Sequence, residues 1–204
     1  MVFASVRTCF KLPLLDLTLI LALFSMAMSP IAVADTSTTN RHATYLANAL
    51  SMSDANVIFM RHALAPGFGD PASFQVNDCS TQRNLNDSGR NQARQLGQIL
   101  VASNIAITTV LSSEWCRCWQ TAELLGLGEW QKFAGLNSFF DGHADRDETL
   151  ALLRQYLGKP PSKQITLMVT HQVVISAITG IAPTSGGMVL FDSKTGHAES
   201  LTFP

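Results

Sequence analysis

The chain lacks any strong excess of charge of one sign. Its 204 residues carry 14 Lys and Arg against 15 Asp and Glu, for a formal net charge of −1. Surfaces that bind nucleic acid or anionic membranes are typically basic, so this balance argues against both kinds of partner. Internal repeats and low-complexity tracts are also missing. Together with the length, these absences favour one globular domain with a short extra segment.

Long unbroken apolar runs are scarce, and the nearest approach to one lies in the first 34 residues. Arg7 and Lys11 begin a largely apolar stretch that runs to Met28, and the small-residue pattern Ala32-Val33-Ala34 follows. This order is typical of a secretory signal peptide. A retained membrane anchor is disfavoured because the apolar run is short and interrupted. We therefore predict a signal peptide over residues 1–34 and a single domain over residues 35–204. The domain is expected to be periplasmic or secreted, without stable membrane insertion after cleavage.

Cysteine and histidine pairs at zinc-finger spacing are absent, which argues against a metal site. Three cysteines, Cys79, Cys116 and Cys118, remain in the predicted mature chain. An oxidising compartment favours a disulfide. Positions two apart on a helix point to different sides, so Cys116 and Cys118 are not expected to pair with each other. The hypothesis is a disulfide between Cys79 and one of these two, with one thiol left free.

The most informative stretch that is present is Val57-Ile58-Phe59-Met60 followed by Arg61 and His62. An unbroken apolar run of this length is typical of a strand buried on both faces of a parallel sheet. Pro66 and Gly67 follow closely and disfavour the alternative of a buried helix. In open α/β sheets, ligands bind at the carboxyl ends of the strands, where Arg61 and His62 would lie.

Strand and helix patterns alternate along the rest of the chain. This alternation predicts an α/β fold with three layers, in which helices cover both faces of a mostly parallel open sheet. Helices are predicted over residues 41–51, 86–101, 114–125, 146–157 and 173–179, and further strands over residues 108–111, 130–133, 164–170, 188–191 and 197–203.

Several cationic or titratable residues follow predicted strands or begin predicted helices. Arg61 and His62 end the first strand, His171 ends a later one, Arg117 lies on the helix after the second strand, and Arg83 precedes another helix. Parallel neighbouring strands would bring these groups to one edge of the sheet. Guanidinium groups match phosphate oxygens, and a neutral imidazole can attack phosphorus to form a covalent phosphohistidine. The pattern therefore predicts phosphoryl chemistry with His62 as the nucleophile.

These residues resemble the motifs of the histidine phosphatase superfamily, also called phosphoglycerate mutase-like. The resemblance extends from about Asn56 to Gly180 in four separated blocks, which are Val57–His62, Arg83-Asn84-Leu85 with Gly89 and Gln92-Ala93, Ser112-Ser113 with Arg117 and Gln120-Thr121-Ala122, and Val169-Thr170-His171. It implies a phosphoglycerate mutase-like fold, phosphoryl transfer to His62, and phosphate binding by Arg61, Arg83, Arg117 and His171. It also implies that neither a metal nor another cofactor is needed.

The chain departs from the family pattern at three places. Ala63 replaces the usual glycine after the nucleophile, which suggests a different loop path, and Gln172 follows the second histidine. Ser138 stands where larger members have the glutamate that protonates the leaving group. Asp141 is the nearest carboxylate to that position, so we expect it to act as the general acid. The alternative is that Asp141 only caps the loop beside Gly142.

The resulting expectation is an exported phosphatase that hydrolyses a small or envelope-borne phosphate monoester. One alternative is a family member that binds phosphate with little or no catalysis. Another is a purely structural cluster, which is disfavoured because three neighbouring arginines without a carboxylate partner are rarely buried. The sequence predicts a small phosphorylated substrate as partner and no nucleic acid, and makes no prediction of oligomeric state.

Overall fold

The structure, a computed structural model, describes Met1 and residues 36–159 and 164–203. The predicted signal peptide lies outside the described residues except for Met1. Five helices and six strands are present in the described ranges. They are α1 (Thr36–Ser51), β1 (Val57–Arg61), α2 (Asp87–Ala102), β2 (Ile107–Ser112), α3 (Cys116–Leu124), β3 (Gln131–Lys132), α4 (Arg146–Leu157), β4 (Ile165–Thr170), α5 (Gln172–Thr179), β5 (Met188–Phe191) and β6 (Ala198–Leu201).

The six strands form one sheet in the order β3-β2-β4-β1-β5-β6. Strand β1 pairs parallel to β4, and β2 pairs parallel to both β4 and β3. Strand β5 pairs antiparallel to β1 and to β6, so the antiparallel pairs lie on one side of the sheet. The predicted mostly parallel sheet is confirmed for its central part, and β1 lies in its interior with four of five residues buried.

Helices cover both faces of the sheet, as the three-layer prediction requires. Alternate residues of β1 point to opposite faces, because successive side chains of a strand do so. Ile58 and Met60 pack with residues from α1, α2 and α3. Val57 and Phe59 pack on the other face with residues from α4 and α5. The interior strand therefore contributes to two apolar cores, which explains its unbroken apolar sequence.

Local capping explains where two of the predicted helices begin. Asn86 accepts a hydrogen bond from Gly89 N at the start of α2, and Asp145 accepts one from Glu148 N at the start of α4. Such caps satisfy backbone amides that have no acceptor inside the helix. Gly180 follows α5 as its carboxyl-terminal cap. The predicted bounds of α4 are confirmed, whereas α1 begins five residues before the predicted Arg41.

None of the helices in the described part of the chain has the length and apolar character needed to cross a membrane.

Candidate active site

The carboxyl ends of β1 and β4 place two histidines side by side. These strands are parallel neighbours, with Arg61 opposite Thr170. His62 directly follows Arg61 in the sequence, and His171 directly follows Thr170. The two ring centroids lie 5.5 Å apart. Both side chains are buried, at 2% and 3% exposure. The predicted convergence of the two histidines is therefore confirmed.

The three predicted arginines reach the same place from different elements. Arg61 ends β1, Arg83 lies in the loop before α2, and Arg117 lies in the first turn of α3. Together with the histidines they line one cavity, which we call the cationic cavity. Its lining consists of Arg61, His62, Gly67, Phe68, Gly69, Arg83, Arg117, Ser138, Phe140, His171, Gln172 and Val173.

Hydrogen bonds fix the tautomer of His62. Its Nδ1 lies 2.7 Å from the carbonyl oxygen of Ala63, which can only accept, so Nδ1 carries the proton. Its Nε2 accepts from Nε of Arg117 at 3.2 Å. Burial and the charge of Arg117 hold the pKa of His62 well below its usual value of 6.5. The ring is therefore neutral, and the lone pair of its Nε2 accepts the hydrogen bond from Arg117.

His171 is oriented by a chain of polar groups behind it. Ser113 donates its hydroxyl hydrogen to Asn137 Oδ1 at 3.1 Å. Ser113 Oγ therefore accepts from Nε2 of His171, which lies 3.0 Å away. Nδ1 of His171 then accepts from Nη2 of Arg117 at 3.4 Å. Burial and the charge of Arg117 lower the pKa of His171 as well.

The free thiol of Cys118 is buried beside the same ring. Its Sγ lies 3.4 Å from Nε2 of His171. Burial raises the pKa of this thiol to about 12. Cys118 therefore stays protonated at neutral pH and acts as a packing residue behind His171.

Three residues from the resembling motifs hold the loop after His62. Thr121 Oγ1 accepts from Ala63 N at 3.1 Å, and Gln92 Oε1 accepts from Leu64 N at 2.8 Å. A Cβ on Gly89 would lie 1.9 Å from the carbonyl oxygen of Leu64, so only glycine allows this approach. Ala63 itself lies outside the left-handed region, which explains why alanine is tolerated there.

Arg83 is held by backbone carbonyls of the loop between β1 and α2. Its Nε donates to Gly69 O at 3.0 Å, and its Nη1 donates to Ala65 O. Gly67 and Gly69 have φ values of 97° and 67°, which turn the loop back around this side chain. Burial and the charge of Arg117 lower the pKa of Arg83.

Arg61 is the least satisfied cation of the cavity. Its Nη1 donates to Pro183 O at 3.0 Å. Its Nε is buried and has no hydrogen-bond partner among the described residues. Buried donors are usually paired, so this nitrogen has an unfilled hydrogen-bonding capacity.

Arg117 has an acidic partner that sequence reasoning missed. Asp70 accepts from Nη1 and Nη2 of Arg117 at 2.8 and 3.0 Å. The two side chains are only 4% and 3% exposed. The expectation that the arginine cluster has no carboxylate partner is therefore wrong. Burial opposes ionisation of Asp70, but the hydrogen bonds and charge of Arg117 outweigh it and lower the pKa of Asp70.

Asp141 lies apart from the cluster. It occupies an exposed turn with φ of 57°, a conformation that aspartate adopts more readily than most residues. Its carboxylate lies against Gly69 at the rim, since a Cβ on Gly69 would lie 2.8 Å from Asp141 Oδ2. It does not line the cationic cavity, whereas the neighbouring Ser138 and Phe140 do. Its role as general acid stays a prediction.

A disulfide joins Cys79 to Cys116, which settles the two pairings left open by the sequence. It ties the loop that carries Asp70 and Arg83 to the first turn of α3, next to Arg117. Within the described ranges, no three His, Cys, Asp or Glu side chains are grouped to hold a metal ion.

The buried neutral histidines give the stability of the protein a definite pH dependence. Below pH 6.5 the unfolded chain binds protons at His62 and His171 that the native protein excludes, because both native pKa values are lowered. The free energy of unfolding should therefore decrease as the pH falls from 7 to 5, with each histidine contributing up to about 1.4 kcal/mol per pH unit.

Urea unfolding at both pH values measures this effect. His171→Gln keeps a hydrogen-bonding side chain but cannot be protonated. Its free energy of unfolding should therefore decrease less between pH 7 and pH 5 than that of the wild type. An unfolding free energy that is constant between pH 7 and pH 5 would contradict the neutral assignment.

Comparison with known proteins agrees with this geometry. Residues 57–140 match the histidine phosphatase superfamily (branch 1). No curated protein matches the sequence. The segment that includes Arg61, His62, Arg83 and Arg117 is therefore similar to that superfamily. This similarity supports a phosphatase-type activity at the level of the family.

Solved structures share the fold. A mycobacterial glucosyl-3-phosphoglycerate phosphatase has a TM-score of 0.52 at 14% identity, over 73% of this chain and 98% of that chain. The open reading frame Rv3214 from Mycobacterium tuberculosis has a TM-score of 0.52 at 17% identity, over 72% and 95%. The protein histidine phosphatase SixA complexed with tungstate has a TM-score of 0.49 at 20% identity, over 72% and 94%. The two mycobacterial structures show that the fold is phosphoglycerate mutase-like.

Proposed function

We propose that the protein is a phosphatase that hydrolyses a phosphate monoester through a covalent phosphohistidine on His62. The observation that carries this proposal is the state of the His62 ring. Its proton lies on Nδ1, its Nε2 accepts a hydrogen bond from Arg117 that attack on phosphorus must break, and three arginines line the same cavity. A neutral imidazole in a strongly positive cavity suits attack on a phosphorus atom whose oxygens carry the negative charge.

Donors around His62 would stabilise the phosphoryl group during transfer. Arg61, whose Nε has no hydrogen-bond partner among the described residues, and Arg83 both add positive charge to the cavity wall. Gln172 and Val173 also line the cavity, and their backbone amides, in the first turn of α5, have no acceptor within that helix. Donors of this kind act most strongly on charge that develops in the transition state.

Departure of the alcohol requires a proton or a good leaving group. Carboxylates are absent from the described lining of the cationic cavity. Asp141 at the rim is the proposed acid, and it would meet only leaving groups that extend past Gly69. This arrangement favours esters with leaving groups that need little assistance.

The rim of the cavity favours a substrate with an apolar or ring-bearing group. Phe68 is 88% exposed, and its ring lies 5.0 Å from that of Phe140, centroid to centroid. Both rings line the cavity opening. We therefore propose a small or envelope-borne phosphorylated molecule whose ring or chain rests on this pair.

The proposed location is the periplasm or the exterior of the cell. Disulfides persist mainly in oxidising compartments, so the bond between Cys79 and Cys116 supports export. The signal-peptide prediction supports the same location from the sequence alone.

A second candidate function is phosphate binding with little or no turnover. It is favoured by the absence of a carboxylate from the described lining of the cavity. Such a protein would bind phosphate but release none from its esters. Measurement of turnover separates the two candidates.

The proposal is tested with a panel of phosphorylated sugars, nucleotides and lipid-core fragments. The wild type should release inorganic phosphate from at least one of them. Arg61→Gln removes the unpaired donor and should lower kcat/KM on that substrate by roughly a hundredfold. Arg94→Gln is the matched control, because Arg94 is exposed on α2 and bonds only to Asn91 in the described structure. Phosphate binding without turnover on the whole panel would favour the second candidate.

A further inference from the structure

Asp70 is a buried carboxylate that nothing in the proposed hydrolysis uses. It lies in the loop between β1 and α2, and both of its oxygens face Arg117. Asp70 Oδ1 also accepts from Arg83 N at 3.0 Å, and Oδ2 accepts from Trp115 Nε1 at 3.2 Å. Four hydrogen bonds from three residues therefore hold one carboxylate beside the phosphate-binding residues.

Arg117, in turn, has no free donor. A guanidinium carries five N–H groups. Nη1 donates to Asp70 and to Arg83 O, the latter at 3.3 Å. Nη2 donates to Asp70 and contacts Nδ1 of His171 at 3.4 Å. Nε donates to His62. An anion that enters the cavity can bind Arg117 only if it replaces one of these acceptors.

Asp70 is the acceptor that most resembles a phosphoryl group. A bidentate carboxylate and two phosphoryl oxygens make the same parallel pair of hydrogen bonds with a guanidinium. Asp70 also carries a negative charge that cancels one of the three positive charges of Arg61, Arg83 and Arg117. With both histidines neutral, the cluster then has a net charge of about +2, since 3 − 1 = 2.

We propose that Asp70 is an intramolecular competitor of the phosphoryl group for Arg117 and thereby sets the anion affinity of the cationic cavity. The inference rests on the proposed function only in taking phosphoryl groups as the ligands of the cavity. An entering group must outcompete a carboxylate already in place. Asp70 therefore excludes weakly charged anions, such as carboxylates, and selects dianionic phosphoryl groups.

Isothermal titration of the full protein with inorganic phosphate, at a mildly alkaline pH where most of the phosphate is the dianion, tests the proposal. Asp70→Asn keeps the shape of the side chain and removes its charge. The dissociation constant for phosphate should fall by about tenfold or more, because a repulsive charge a few ångströms from the anion is lost. In an Arg117→Gln background, the same substitution should have a much smaller effect.

Asp87→Asn is the matched control. Asp87 also pairs with an arginine, Arg90 at 2.6 Å, but it is exposed on α2. Phosphate affinity should not change in this variant. A wild type that binds phosphate, with Asp70→Asn binding it no more tightly, would overturn the inference and leave the proposed hydrolysis intact.

Crystals of the wild type soaked in phosphate give a second measurement that does not depend on a variant. We expect phosphate oxygens to contact Nη1 or Nη2 of Arg117 in place of Asp70. Phosphate bound by Arg61 and Arg83 with the Asp70 pair intact would overturn the competition. Phosphate binding to Asp70→Asn at higher affinity without turnover of any ester would support the inference while contradicting the proposed hydrolysis. Failure of both proteins to bind phosphate would overturn both proposals.

Discussion

His62→Ala is expected to lower phosphate release by at least about a thousandfold, to the level of the uncatalysed reaction in the assay. The proposed reaction proceeds through a bond between phosphorus and Nε2 of His62, so no other group in the cavity can replace the ring. The measurement is steady-state phosphate release from the best ester of the panel.

The matched control is His197→Ala, because His197 is exposed and lies outside the lining of the cationic cavity. It should keep an activity close to that of the wild type. Thermal unfolding of His62→Ala checks that the variant is folded at the assay temperature. Substantial turnover by a folded His62→Ala protein would rule out the phosphohistidine route.

Loss of the disulfide between Cys79 and Cys116 should destabilise the protein by about 3–4 kcal/mol. The bond closes a loop with a sequence separation of 37 residues, and its removal restores chain entropy to the unfolded state. Urea unfolding of the oxidised wild type and of a Cys79→Ser/Cys116→Ser variant measures the difference. Reductant should leave the stability of the double variant unchanged, since Cys118 is a free thiol in the native protein. A difference below about 1 kcal/mol would contradict this structural role.

The same substitution should also reduce turnover. The disulfide connects the loop that carries Asp70 and Arg83 to the residue before Arg117. Gln82 makes a parallel connection, because its Oε1 accepts from Cys116 N at 2.9 Å. This bond should keep the loop partly in place, so the loss of activity should be partial and should increase with temperature. Phosphate release at several temperatures below the unfolding transition measures it.

The residues that follow the interior strands were predictable because periodicity and topology determine where they lie. The apolar run before Arg61 and His62 requires a strand buried on both faces, and the parallel neighbour β4 brings His171 to the same edge. The amphipathic pattern and the cap at Asp145 likewise determined the bounds of α4. These features depend on the local sequence and on the fact that parallel neighbouring strands have their carboxyl ends at the same edge of the sheet.

The features that were not predictable depend on loop geometry. The Asp70–Arg117 pair joins residues 47 positions apart through a loop with little regular structure. Aspartate between Gly69 and Pro71 is ordinary turn chemistry, so the sequence offers no sign of a buried ion pair there. The choice between Cys116 and Cys118 as the partner of Cys79 depended on the same loop. The first turn of α1 was missed because Thr36–Asn40 is entirely polar.

The central claim is that His62 accepts the phosphoryl group. Rapid acid-free quenching during turnover, followed by peptide mapping with mass spectrometry, tests it most directly. We expect one phosphoryl group on His62 in the wild type and none in His62→Ala. Steady turnover without any phosphorylated peptide, or with the phosphoryl group on a different residue, would contradict the account.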